Sequence, residues 1–136
     1  METVTIWENR MAFNSTFDGH TINLNGETGA DGKRLGFGPK ALLLSGLAGC
    51  SGIDVVEILN KMKVEFTKFE IVCDADAVEE HPKIFKDIHI TYKINADKSN
   101  EDKVRRAIDL SLEKYCGVAA MLRKNSAIIP KLEFID

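Results

Sequence analysis

Apolar and polar positions change rhythm three times along the chain, and each change marks an element. From Thr3 to Leu24 the alternation has a period of two. Val4 and Ile6 alternate with Thr3, Thr5 and Trp7, and Met11, Phe13, Ser15 and Phe17 with Arg10, Ala12, Asn14 and Thr16. Such alternation predicts short strands. Asp18-Gly19 predicts a hairpin turn, with His20–Leu24 returning as a third strand. Gly26–Gly38 shows no period, carries five glycines and reads as a mobile loop. The stretch GPKALLLSGLAGCSGIDVVEILNKMK, Gly38 to Lys63, then predicts one long helix opened by Pro39. Its first half is apolar on nearly every side, through Leu42, Leu43, Leu44, Leu47, Ala48 and Ile53, and predicts a helix enclosed by a core. Its second half is amphipathic.

Beyond it, Val64–Val78 alternates as a strand with Phe69, Ile71, Cys73, Ala75 and Ala77 inward. Glu79-Glu80-His81-Pro82 interrupts, and Ile84–Ile94 resumes with Ile88, Ile90, Tyr92 and Ile94 inward and His89 outward. Ser99 or Asn100 can cap a second helix whose buried stripe is Val104, Ala107, Ile108, Ser111, Leu112 and Tyr115. Val118–Lys124 adds a further helical turn. Ala127–Ile135, interrupted by Pro130, predicts a closing edge strand.

With 136 residues, the chain is expected to form one domain with a sizeable core. A net charge of −3 with no basic stripe gives no support to nucleic-acid binding. No uninterrupted apolar run is long enough to cross a bilayer, and METVTIWENR lacks an apolar signal core, so neither membrane attachment nor secretion is expected. Three cysteines, far apart and odd in number, do not make an extracellular disulfide framework, so the expected location is cytoplasmic. The three histidines have no metal-ligand spacing, and no phosphate loop, dinucleotide fingerprint or serine elbow is present, so no metal and no cofactor is expected.

The cysteines hold the remaining chemistry. Cys50 falls within about 40° of Asp54, Glu57 and Lys61 on the long helix, at the edge of its buried part. Ala41, Ser45, Ala48, Gly49 and Gly52 form a separate face of small residues that would let another backbone approach. Cys116 extends the Ile108–Leu112 row and borders the charged side of the second helix, close to Gly117. Cys73 lies on the inner face of its strand and reads as an inert core thiol. Taken singly, a free cysteine is most often a small buried hydrophobe.

The A-G-C segment of the long helix, the HPKIF segment and RAIDLSLEKYCGVAAML together resemble the OsmC/Ohr family, in particular its small OsmC-like branch. The resemblance covers most of the chain and is firmest from Gly38 to Leu122. It implies an α+β fold in which two subunits intertwine as a homodimer, with two long central helices back to back between antiparallel sheets. It also implies reduction of organic hydroperoxides, with Cys50 as the peroxidatic thiol, Cys116 as the resolving thiol and a dithiol reductant resetting their disulfide. Family members activate the first thiol with an arginine from the early strands and a glutamate about ten residues before it. Arg10 stands in the first place, with Arg34 as a rival, and Lys40 occupies the second. A different reading stays open, in which a non-enzymatic dimer of the same fold binds a small apolar ligand.

Overall fold

The computed structural model describes Met1 to Asp136. The chain divides into two compact units, Met1–Leu43 and Leu44–Asp136. The first is an antiparallel meander of β1 (Val4–Asn9), β2 (Ala12–Phe17) and β3 (His20–Asn25). Asp18 and Gly19 both take positive φ, 48° and 80°, which suits a two-residue turn between right-twisted strands. Phe13 pairs with Trp7 on one side and Leu24 on the other, so these three share a face. Asn14, Thr16, Thr21 and Asn23 make up much of the opposite face. The apolar face stays open: Trp7, Phe13, Phe17 and Ile22 are all exposed. The glycine-rich loop carries more structure than its aperiodic sequence suggests. Gly29 N–H donates to Lys33 O at 2.7 Å and Leu35 N–H to Glu27 O at 3.0 Å, closing a small antiparallel bridge between Thr28 and Arg34.

Helix α1 runs from Pro39 to Lys61 and crosses from the first unit into the second. The second unit carries β4 (Phe69–Ala77), β5 (Phe85–Ile94) and β6 (Ile128–Phe134) in the order β4-β5-β6. β4 pairs antiparallel with β5, but β6 pairs parallel with it, so this sheet is mixed where antiparallel sheets were implied. A parallel neighbour needs a crossover, and the helical segment between β5 and β6 supplies it. Pro130 sits on the edge strand, where its missing N–H can face away from the ladder.

β5 is the central strand, and Ile88, Ile90, Tyr92 and Ile94 are all fully buried, with His89 exposed between them. Leu47, Val55 and Leu59 of α1 and Val104, Ala107 and Ile108 of α2 (Glu101–Leu110) complete the core. At about 25 cal/mol per Å² of apolar surface, this cluster is the main favourable term in the unit's folding.

The helices differ from expectation. The first half of α1 is not enclosed: its fully covered positions are Leu47, Ser51, Val55 and Leu59, while Leu43 is 49% and Ile53 70% exposed. Four-residue spacing buries one stripe of a helix, and the chain alone leaves the rest open. The second helical region is not continuous: it breaks into α2, a π-turn at Ser111–Tyr115 and α3 (Gly117–Arg123). Asn100 takes the cap position of α2 without a side-chain hydrogen bond, and Asp97 caps the single 3-10 turn before it, accepting from Ser99 N–H at 2.8 Å. By length and composition alone α1 is long and apolar enough to cross a membrane, although Ser45, Gly46 and other small residues keep its uninterrupted apolar runs short.

Candidate functional site

The site grows from the contact between α1 and the π-turn. α1 carries Cys50, half-buried, beside the buried Ser51, with Asp54 one turn further along. The π-turn ends at Cys116, whose N–H donates to Ser111 O at 2.7 Å, spanning five residues where an α-helix spans four. The Arg123 guanidinium donates to Leu112 O within the same turn. The wider turn rotates everything after Ser111. Tyr115, expected in the buried stripe, is therefore 54% exposed, and Cys116, expected at an edge, is 3% exposed.

Cys116 then leaves the helix in an extended conformation, and its Sγ accepts from Ala119 N–H at 3.3 Å, capping α3. The Cys50 side chain is a neighbour of the Cys116 thiol. Burial pushes the Cys116 thiol up to about 11, helped by the neighbouring Cys50 side chain and by the negative charge of Asp54, and opposed by the Ala119 N–H. Cys73, on the inner face of β4, is also pushed up to about 11, by burial alone. All three cysteines are free thiols.

Sequence reasoning missed the polar chain beneath the thiols. The Tyr92 hydroxyl lies 2.6 Å from Ser51 Oγ, Ser51 Oγ lies 2.8 Å from Ser111 Oγ, and Ser111 Oγ lies 3.1 Å from Asp54 Oδ2. A carboxylate can only accept, so Ser111 donates to Asp54, Ser51 to Ser111 and Tyr92 to Ser51. Burial raises the Tyr92 phenol above its ordinary range, which keeps it a donor. The available signal is two serines on the inner stripes of two helical segments, where spacing alone gives Ser111 a packing role. Beside Asp54 a cavity of about 350 Å³ opens between Glu57, Ile58, Lys61, Leu110 and Tyr115. Elsewhere on α1, Ala48, Gly49, Gly52, Ile53 and Val56 line an apolar groove of about 680 Å³ with Phe69.

Arg10 belongs to the first unit. It sits in the β1–β2 turn at φ 46°, and its carbonyl accepts from Trp7 Nε1 at 2.9 Å. Its Nε and Nη2 both reach Glu27 Oε1, at 2.8 and 2.6 Å. The pair holds the Glu27 carboxyl below its usual range and the Arg10 guanidinium above its own. Glu27 has no distinguishing pattern in the sequence. Arg34 lines a separate cavity of about 540 Å³ with Phe37, Pro39 and Lys40. No three His, Cys, Asp or Glu side chains converge as metal ligands.

The two raised thiols set a pH dependence. Between an ordinary thiol value of about 8.5 and the folded value near 11, the unfolded chain loses protons that the folded chain keeps. Stability from these groups is thus complete below about pH 8.5 and falls as pH rises toward 11. The urea midpoint is expected to drop over that window, and Cys73→Ala to flatten the drop. A midpoint that rises there, or a slope unmoved by Cys73→Ala, would contradict this.

A family model for OsmC-like proteins matches residues 30–131. Protein YhfA of Escherichia coli K12 is 32% identical over 136 residues, spanning 99% of this chain and 98% of its own length. The structure resembles a hypothetical protein from Aquifex aeolicus VF5 with a TM-score of 0.86 and 29% identity, over 98% of this chain and 95% of that one. The organic hydroperoxide resistance protein OhrB of Bacillus subtilis shares the fold, with a TM-score of 0.65 and 18% identity over 97% of this chain and 96% of its own. From the matched family model, the full-length relative and the shared fold, the chain belongs to the OsmC-like family.

Proposed function

We propose that this protein is a two-cysteine thiol peroxidase that reduces organic hydroperoxides. The observation that carries the reading is that Cys50 lies near enough to Cys116 to raise its thiol, so two free thiols from distant stretches of the chain are neighbours. Cys50 is the half-buried member and can meet a substrate; Cys116 is buried and holds its proton. Cys50 therefore reacts first. Its thiolate attacks the O–O bond, which breaks; the alkoxide leaves and takes a proton to become an alcohol, and Cys50 becomes a sulfenic acid. The Cys116 thiol then displaces hydroxide from that sulfur, its proton leaves as part of water, and the Cys50–Cys116 disulfide forms. A dithiol reductant returns both thiols by exchange.

Arg10 is the proposed activating cation, and its two hydrogen bonds to Glu27 favour one orientation of the guanidinium. The working form is a cytoplasmic homodimer. Its support is the apolar surface each chain leaves uncovered: the Trp7–Phe13 face of the meander and Leu43 and Ile53 on α1. The organic hydroperoxide resistance named for OhrB agrees with this substrate class. The groove along Ala48, Gly52 and Ile53 favours a second reading, a non-enzymatic dimer that holds a small apolar ligand. Peptide mapping after one equivalent of cumene hydroperoxide separates the two. The expected product is a Cys50–Cys116 link with Cys73 free; three free thiols would remove the enzyme reading.

A further inference from the structure

We propose that the buried hydrogen bond between Ser51 and Ser111 is a positioning device that sets how Cys116 meets Cys50. This rests on the two-cysteine reading above. Ser51 is the neighbour of Cys50 on α1, and Ser111 is the residue whose carbonyl holds the Cys116 N–H at 2.7 Å. The 2.8 Å bond between the two hydroxyls therefore closes a short mechanical loop: Cys50, Ser51, Ser111, Cys116. Ser111 is held against α1 a second time by Asp54 Oδ2 at 3.1 Å, and Ser51 is held against the sheet by Tyr92 at 2.6 Å.

Stability alone does not call for hydroxyls here. Ser51 and Ser111 are both fully buried, and replacing both partners of a buried hydrogen bond by apolar groups of similar shape is often nearly neutral. What two methyl groups cannot reproduce is direction. Each serine has one proton to donate, and acceptance by the Asp54 carboxylate orients every donor in the row. The order leaves one relative placement of α1 and the π-turn in which all the bonds are made. A disulfide needs such placement, because its Cα separation and torsion tolerate little error. The step at stake is ring closure: the S–S bond forms, the S–O bond of the Cys50 sulfenic acid breaks, and water leaves.

The test equilibrates the full chain with graded ratios of oxidised to reduced dithiothreitol and quantifies the Cys50–Cys116 disulfide after alkylation. The two protein thiols lose two electrons and two protons, which the oxidised dithiothreitol takes up. Ser111→Ala and Ser51→Ala are each expected to lower the equilibrium constant about tenfold, as effective concentration falls with lost preorganisation. The double variant is expected to lose less than the two single losses combined, since either substitution already breaks the Ser51–Ser111 bond. Ser111→Thr keeps the hydroxyl and is expected to stay within about threefold of wild type. Thermal midpoints of the dithiol and disulfide forms separate positioning from simple support of the fold. A bond serving both redox forms equally lowers both midpoints and leaves the constant alone. Should Ser111→Ala fail to fold, Ser51→Ala breaks the same bond from α1. An unchanged constant in the folded serine variants, or additive losses in the double variant, overturns the proposal. A wild-type chain that forms no Cys50–Cys116 disulfide overturns the peroxidase reading, and this proposal with it.

Discussion

Replacing Cys50 with serine is expected to lower hydroperoxide consumption by more than about a thousandfold, the scale on which losing a nucleophile acts. A serine hydroxyl stays protonated at neutral pH and cannot attack the O–O bond as a thiolate does. The other thiols do not stand in for it. Cys116 and Cys73 are both pushed up to about 11, so little thiolate is present at neutral pH. Cys116→Ser should behave differently: the first attack proceeds, no partner closes the disulfide, and one equivalent of peroxide leaves a sulfenic acid that dimedone traps. Arg10→Ala should slow that first attack while the dimer persists, since its guanidinium is exposed and paired only with Glu27. Stopped-flow traces with cumene hydroperoxide, and with hydrogen peroxide as the smaller and slower substrate, read each step. Equal, slow rates for wild type and Cys50→Ser would move the protein to the ligand-binding reading.

Putting leucine at Gly49 is expected to convert a homodimer into a folded monomer. Within a single chain the substitution should do no harm, because a Cβ built at Gly49 meets nothing within 4 Å. Leaving glycine in a helix costs about 1 kcal/mol, so the isolated α1 would gain from the change. Loss of assembly then reports contact with a second copy rather than damage to the fold. Gly52 makes a poorer probe, since its Cβ would come 3.0 Å from Ile71 Cδ1 and strain the chain itself. A large side chain forced into a tight helix contact costs about 1–3 kcal/mol, and a two-fold interface would feel it twice. Sedimentation at micromolar concentration reads the outcome. A wild-type monomer, or a Gly49→Leu variant that remains dimeric, would contradict the proposed assembly.

The elements were legible in the sequence wherever one physical rule sufficed. Period-two alternation located β1 to β5, and the inward set Ile88, Ile90, Tyr92 and Ile94 is the buried face of β5. The Asp18-Gly19 turn, the long helix after Pro39 and the edge placement of Pro130 likewise follow from local stereochemistry. The motifs around Cys50 and Cys116 carried the family. Burial around α1 was not legible, because periodicity says which positions could be covered and not how many neighbours one chain can bring. Leu43 and Ile53 look like core residues in the sequence and lie open on this chain.

The site shows the same division at closer range. Local sequence determined that one thiol stands on the long helix and another close to where the second helical segment ends, that Cys73 faces inward from a strand, and that charge and composition suit an ordinary globular chain. Only the tertiary structure decided that Cys116 turns inward while Tyr115 turns out. An i to i+5 turn at Ser111 does that, and it forms where packing and capping favour it over the α-helix that the spacing alone predicts. Tyr92, Ser51, Ser111 and Asp54 come from a strand and two helical segments, and the bonds among them span 41 to 60 residues of chain. No spacing rule reaches that far. A hydroxyl on a buried stripe reads as a tolerated small residue until the fold brings a partner within 3 Å, and only then does it become a joint between α1 and the π-turn.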